Sequence, residues 1–229
     1  MNGLIHSSLY FGMLVSVGAY MLGVWLKKKT GWAILNPLLV AIIVVIAFYL
    51  FSYRYKEYNR GAVYLGYFLT PATVCLAIPL YKQLELLRQH LIAVASAIVA
   101  GVAGSVGSIY VMCRFFQLEH THYVTLLPKS ITTAIGMGVS EEAGGIVTLT
   151  VISIIITGIL GNIIADWLFQ IFKIEEPIAK GLALGTAAHA IGTAKALELG
   201  EIEGAMSSLS IAVAGLLTVV VVPLMSGLI

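Results

Sequence analysis

Long apolar runs, each near the length that crosses a bilayer as a helix, constrain this chain more than any other feature. They lie at 4–26, 34–51, 61–81, 91–113, 146–172 and 204–228, with shorter apolar arms at 123–138 and 181–194. About 20 residues at 1.5 Å each span a hydrocarbon core of roughly 30 Å. In lipid, backbone polar groups must be satisfied within the element, which leaves helices or closed barrels. A barrel strand alternates in hydropathy, and "NPLLVAIIVVIAFYLF" (36–51) does not. The expected fold is therefore all-α, a polytopic transmembrane helical protein. With 59% apolar and 10% charged residues, the composition agrees.

The lipid bilayer is the first partner this implies. A formal charge of +2, with basic residues scattered apart from "KKK" at 27–29, argues against a nucleic-acid partner. By the positive-inside rule that cluster puts the end of the first span in the cytoplasm, whereas Arg54, Lys56 and Arg60 on the next loop pull the other way. No basic residue precedes Lys27, so the first span lacks the charged start of a signal peptide and is expected to stay. Cys75 and Cys113 lie in or beside apolar runs without metal-ligand spacing and are expected to pack; no metal or cofactor is expected.

Three stretches echo one another: "AIPLYKQLE" (77–85), "AIGMGVSEE" (134–142) and "AIGTAKALE" (190–198). Each follows a short arm rich in small residues or Pro and precedes a full-length apolar span. The repeating unit would be arm, polar elbow and span, as in carriers built from duplicated bundles with interrupted or re-entrant helices. The chain then divides into a two-span segment at 1–60 and units at 61–115, 116–172 and 181–229. Pro71 in "FLTPATVCLAIPLY" (68–81) forces a kink or an unwound turn, and Thr70 and Thr73 are placed to satisfy the freed groups. Either an ordinary kink or a site explains it.

The stretch "LLPKSITTAIGMGVSEEAGG" (126–145) is densest in chemistry. A helix N-terminus just after Pro128, with Lys129 and the hydroxyls of Ser130, Thr132 and Thr133, offers the donors an anion needs in place of its water shell. The competing explanation is an interfacial loop with Lys129 snorkelling to headgroups. In "GTAAHAIGTAKALELG" (185–200), Thr186, His189 and Thr193 share a helix face among residues small enough to leave room beside them. His189 is either a proton-linked or substrate-binding group or a hydrogen-bonded packing residue, and Glu142 and Glu198 are further candidates for proton coupling. Lys195 and Glu198 are spaced to pair. Asn36 before Pro37 reads as a helix cap, Asn162 as a pathway candidate, and Asp166 beside Trp167 as interfacial.

From "NPLL" (36–39) through "PATVCLAIPLYKQ" (71–83), "PKSITTAIGM" (128–137), "EEAGGIVTLT" (141–150) and "GLALGTAAHAIGTAKALELGEIEGA" (181–205), the chain resembles the LrgB/CidB family of bacterial membrane proteins over essentially its whole length. Thr70 stands where the family usually has Gly, and Ala134 where it often has Pro. The resemblance implies a single membrane domain in the bacterial cytoplasmic membrane, and a small LrgA/CidA-type membrane partner or a homo-oligomer. It also implies two functions. One is a holin/antiholin-like component that modulates murein hydrolase activity and autolysis; the other is a transporter of small monocarboxylates such as pyruvate, glycolate or lactate.

The residues favour the second. A pore former has no evident use for interrupted helices carrying a lysine and hydroxyls, whereas a carrier of a small organic anion needs both. No His-Glu-x-x-His, paired intramembrane aspartates or nucleophile elbow occurs, so an enzyme is not expected. The expected site joins Thr70, Thr73, Lys129, Ser130, Thr132, Thr133, Thr186, His189 and Thr193.

Overall fold

The computed structural model describes residues 10–32, 34–52, 55–75 and 77–229, and every regular element among them is helical. The chain forms two compact units, Met1–Cys75 and Leu76–Ile229.

In the first unit, α1 (Phe11–Thr30) and α2 (Pro37–Ser52) run antiparallel, followed by α3 (Tyr55–Gly66) and α4 (Leu69–Cys75). Asn36 opens α2 as its sequence suggests: its Oδ1 accepts from the backbone N–H of Leu38 at 2.9 Å and of Leu39 at 3.3 Å, with Pro37 in the first turn. Pro71 falls in the first turn of α4, where a missing N–H costs least, so the run 61–81 is divided among short helices and does not form one span.

The second unit contains α5 (Ala77–Lys82), α6 (Leu84–Gln89), α7 (Leu91–Phe115), α8 (His120–Leu126), α9 (Thr133–Glu142), α10 (Val147–Ile171), α11 (Pro177–Leu199) and α12 (Glu201–Ser226). Helices α7, α10 and α12 are long and apolar enough to cross a membrane. Large apolar side chains such as Val99, Met112, Ile152, Ile156, Leu216 and Leu224 point outward from them, as lipid solvation requires. The inner faces, including Val94, Ile98, Val106, Met206 and Ala214, meet in one core with Tyr123 and Leu127.

Between the spans lie two re-entrant hairpins. In the first, α8 runs inward, the chain turns through residues 127–132, and α9 runs back. Both arms are tied to the start of α10: the Thr150 hydroxyl lies 3.0 Å from the Thr125 carbonyl and 2.6 Å from the Ser140 hydroxyl, and the Ile146 N–H donates to Thr125 Oγ1 at 2.8 Å.

In the second, α11 doubles back at His189, whose φ of 43° and ψ of −136° are not helical. A straight helix would hold Leu184 and Gly192 about 12 Å apart at 1.5 Å per residue. Instead a β-carbon on Gly192 would overlap the Leu184 carbonyl and lie 2.8 Å from Ala188 Cβ. The register against α10 agrees. The incoming arm sets Ala188 against Gly161, whereas the outgoing arm sets Ile191 against Asn162 (Nδ2–H to carbonyl, 3.1 Å) and Lys195 against Asp166 (Nζ to Oδ2, 2.7 Å). Each arm is roughly 15–18 Å long, half a bilayer core.

The hairpins enter from opposite ends, because α10 begins where the first closes and ends where the second opens. The echoing stretches 134–142 and 190–198 are the outgoing arms of the two hairpins; the third, 77–85, falls on α5 and α6, outside both.

Candidate functional site

The two hairpin tips meet halfway along the spans. Ser105, in the middle of α7, donates from Oγ to Ser130 Oγ of the first tip at 2.8 Å, and Lys129 Nζ donates to the same oxygen at 3.1 Å. Thr186, near the second tip, packs against Gly101 of α7 so closely that a β-carbon there would lie 2.8 Å from its Oγ1. Beside these groups is a cavity of about 640 Å³. Its walls are the middle of α7 (Ala97, Gly101, Ser105), the C-terminal half of α10 (from Thr157 and Gly161 to Phe169), Lys129 and Ser130, and the incoming arm of α11 up to Ala188. Such a volume suits a small-molecule site, and its apolar walls with a few convergent polar groups fit the usual pattern.

Lys129 is the cation of this cavity. Among the described residues its only polar contact is Ser130 and no carboxylate faces it. A lysine at mid-depth in a membrane costs roughly 2.5–3.5 kcal/mol unless a partner or water compensates. Thr157 lines the same space, and Thr186 Oγ1 donates to the Leu182 carbonyl at 2.8 Å, which leaves its lone pairs available to a guest.

Of the residues expected to form the site, Lys129, Ser130 and Thr186 come together. Thr132 occupies the N-cap position of α9 without a side-chain capping hydrogen bond and Thr133 begins the helix, both half-buried and outside the cavity walls. Thr193 is buried behind the tip, donating to the His189 carbonyl at 3.1 Å and hydrogen-bonded to Ser207 at 2.7 Å. Glu142 and Glu198 sit exposed near the outer ends of the outgoing arms, far along the chain from either tip. Thr70 and Thr73 lie on α4 of the other unit, and their side chains are outside the described residues. Cys113 packs in the core, while Cys75 is exposed. Among the described residues, no group of three or more His, Cys, Asp or Glu side chains is placed to hold a metal ion.

His189 is 3% exposed and is not among the cavity walls. Its Nε2 lies 2.9 Å from the Ile154 carbonyl, and its ring packs where a β-carbon on Gly158 would stand 2.8 Å away. The imidazole thereby anchors the turn to α10 while its backbone holds a conformation that normally needs Gly. Two opposing effects follow. Thermal unfolding of variants should rank wild type above His189→Gly and His189→Gly above His189→Ala. Glycine relaxes the backbone after the anchor is lost; alanine loses the anchor and keeps the strain, about 1 kcal/mol worse.

Ser105 and Thr157 escaped sequence reasoning because a single hydroxyl in a long apolar span carries no local signature. The one available cue was the small-residue texture of "AGVAGSVGS" (100–108) and "TGILGN" (157–162), which permits close backbone approach.

This architecture defines a class: a polytopic helical membrane protein whose two opposed re-entrant hairpins meet over a cavity at mid-depth. The sequence profile of the LrgB-like family matches residues 16–228, and the chain belongs to that family. It is 38% identical over 216 residues to the antiholin-like protein LrgB of Bacillus subtilis (strain 168), covering 93% of this chain and 94% of that one. It is 40% identical over 217 residues to the protein of the same name from Bacillus mycoides (strain KBAB4), and 39% identical to that from Bacillus cereus (strain B4264), in each case over 94% of both chains. No solved structure matches it.

Proposed function

We propose that this protein is a carrier of small monocarboxylates of the pyruvate, lactate and glycolate type, a multi-pass protein of the bacterial cytoplasmic membrane. It acts as a carrier rather than an enzyme, without a cofactor, and works with a small LrgA/CidA-type membrane partner or as a homo-oligomer. One observation carries this reading: the Lys129 ammonium borders a cavity at the middle of the spans with no carboxylate to neutralise it among the described residues. A single anionic guest supplies the missing charge. Opposed interrupted elements whose ends meet near the midplane are also how many secondary carriers hold substrates.

The test is uptake of labelled pyruvate, lactate and glycolate into liposomes holding the purified chain, with and without an inward proton gradient. Saturable uptake is the expected result. The name of the Bacillus relatives favours a second reading, an antiholin-like protein that modulates murein hydrolase activity and autolysis. Release of unrelated trapped dyes without saturation, or altered autolysis in cells whose monocarboxylate uptake is unchanged by deletion, would favour that reading over transport. If the chain alone neither transports nor leaks, co-reconstitution with the small membrane partner decides between them.

A further inference from the structure

We propose that Ser105 is a positioning residue that fixes the Ser130 hydroxyl as a donor, so that Lys129 and Ser130 form a donor-only clamp for one carboxylate group. The clamp deepens the carrier reading above and rests on it for its choice of guest.

A serine within a helix ordinarily donates its hydroxyl proton to a carbonyl three or four residues back. Two serines of α7 do so, Ser96 to the Ala93 carbonyl at 3.0 Å and Ser108 to the Ser105 carbonyl at 2.8 Å. Ser105 lies between them and departs from the habit, donating across to the hairpin tip at Ser130 Oγ.

A serine oxygen has two lone pairs and one proton. At Ser130 both lone pairs are engaged, one by Ser105 at 2.8 Å and the other by the Lys129 ammonium at 3.1 Å. What remains is the proton, and among the described residues no group accepts it. Ser130 is 7% exposed and forms part of the cavity wall. A buried donor without an acceptor is costly, and the cavity is where an acceptor can stand. The ammonium has two further N–H groups with no partner among the described residues.

The tip therefore presents ammonium and hydroxyl donors side by side, with no acceptor between them. A carboxylate satisfies the arrangement with one oxygen on the ammonium and the other on the hydroxyl, both as charge-assisted hydrogen bonds. A neutral amide of the same shape offers one acceptor oxygen to the two donors and carries no charge to meet the ammonium. Without the Ser105 donor, the Ser130 hydroxyl has a free lone pair and can turn away from the guest.

The experiment is isothermal titration of purified full-length protein with pyruvate at constant ionic strength, using wild type, Ser105→Ala and Ser105→Thr. Ser105→Ala should bind about tenfold more weakly, the effect of one hydrogen bond to a charged group, and Ser105→Thr within about twofold of wild type. In liposomes the KM of Ser105→Ala should rise by the same factor at an unchanged maximal rate, with the melting temperature of the unliganded protein lowered by no more than the roughly 2–4 °C that one neutral hydrogen bond is worth. If Ser105→Ala does not fold, Ser105→Cys, a weaker donor of similar size, should rank below wild type. Equal pyruvate affinity in Ser105→Ala and wild type overturns the clamp and leaves the carrier reading standing. Pyruvate binding without uptake, by the chain alone and with the small membrane partner, and with the Ser105 ranking intact, removes the carrier reading and keeps the clamp. Absence of pyruvate, lactate and glycolate binding by wild type overturns both.

Discussion

Replacing Lys129 with methionine should lower the efficiency of monocarboxylate uptake by at least about a hundredfold while raising the melting temperature of the unliganded protein. The two effects have one cause. The ammonium stands at mid-depth with Ser130 as its only polar contact among the described residues. An unneutralised charge at that depth is held at a cost of roughly 2.5–3.5 kcal/mol. Methionine keeps the length and apolar stem of lysine and removes the cost. A gain of even 1 kcal/mol corresponds to about 2–4 °C for a chain of this size.

When substrate arrives the balance reverses. The carboxylate meets the ammonium in a low-dielectric cavity, and losing a hydrogen-bonded charge partner there costs on the order of 3 kcal/mol, or about two decades in efficiency. A residue that merely braces the tip would lose stability along with activity. Liposome uptake and thermal unfolding of the same preparation separate the cases. Unchanged uptake by Lys129→Met would remove the ammonium from the site.

The second large effect concerns the turn that brings the tips together. Gly192→Val should leave little folded protein, seen as loss of the monodisperse peak in size-exclusion chromatography of the solubilised protein. Any β-carbon at 192 overlaps the Leu184 carbonyl and crowds Ala188 Cβ. The obstruction is backbone, so no side-chain rotation relieves it, and the two arms of α11 would have to separate. Separation in turn breaks the contacts of the outgoing arm with α10 at Asn162 and Asp166. Overpacking of a rigid interior costs about 1–3 kcal/mol and more where backbone must move. Gly138→Val, on the outgoing arm of the first hairpin where a β-carbon meets open space, should be nearly neutral by comparison. Equal behaviour of the two variants would argue against the doubled-back path of α11.

Much of this architecture is legible in the chain, for reasons that differ by element. The spans at α7, α10 and α12 are written in length and composition, because lipid selects for apolar helices of fixed length whatever they pack against. The break after Leu126 is announced by Pro128 and a run of hydroxyl residues, and the cap at Asn36 by the Pro that follows it; both signals act over one helical turn. The echo between 134–142 and 190–198 marks two elements of the same kind, the outgoing arms.

The turn at His189 is a different matter. Apart from Gly192, three residues past the turn, nothing in "TAAHAIGTA" (186–194) weakens a helix, and by spacing alone Thr186, His189 and Thr193 form one polar stripe. In the folded protein they divide: Thr186 faces the cavity, His189 is fixed to the Ile154 carbonyl, and Thr193 binds Ser207. A reversal without Gly or Pro at the turning residue is stabilised by contacts on both arms, and those partners lie up to 35 positions away in sequence. Likewise, Ser105 becomes part of the site only because the first hairpin delivers Ser130 to the middle of α7.

By itself, then, the sequence determined that this is a helical membrane protein of the LrgB-like family with interrupted elements and a small set of polar residues at mid-span, since hydrophobic length and local backbone chemistry operate within a single segment. Only the tertiary structure decided which of those polar residues share a cavity, because that depends on the register between hairpin and span, set by packing between segments remote in the chain.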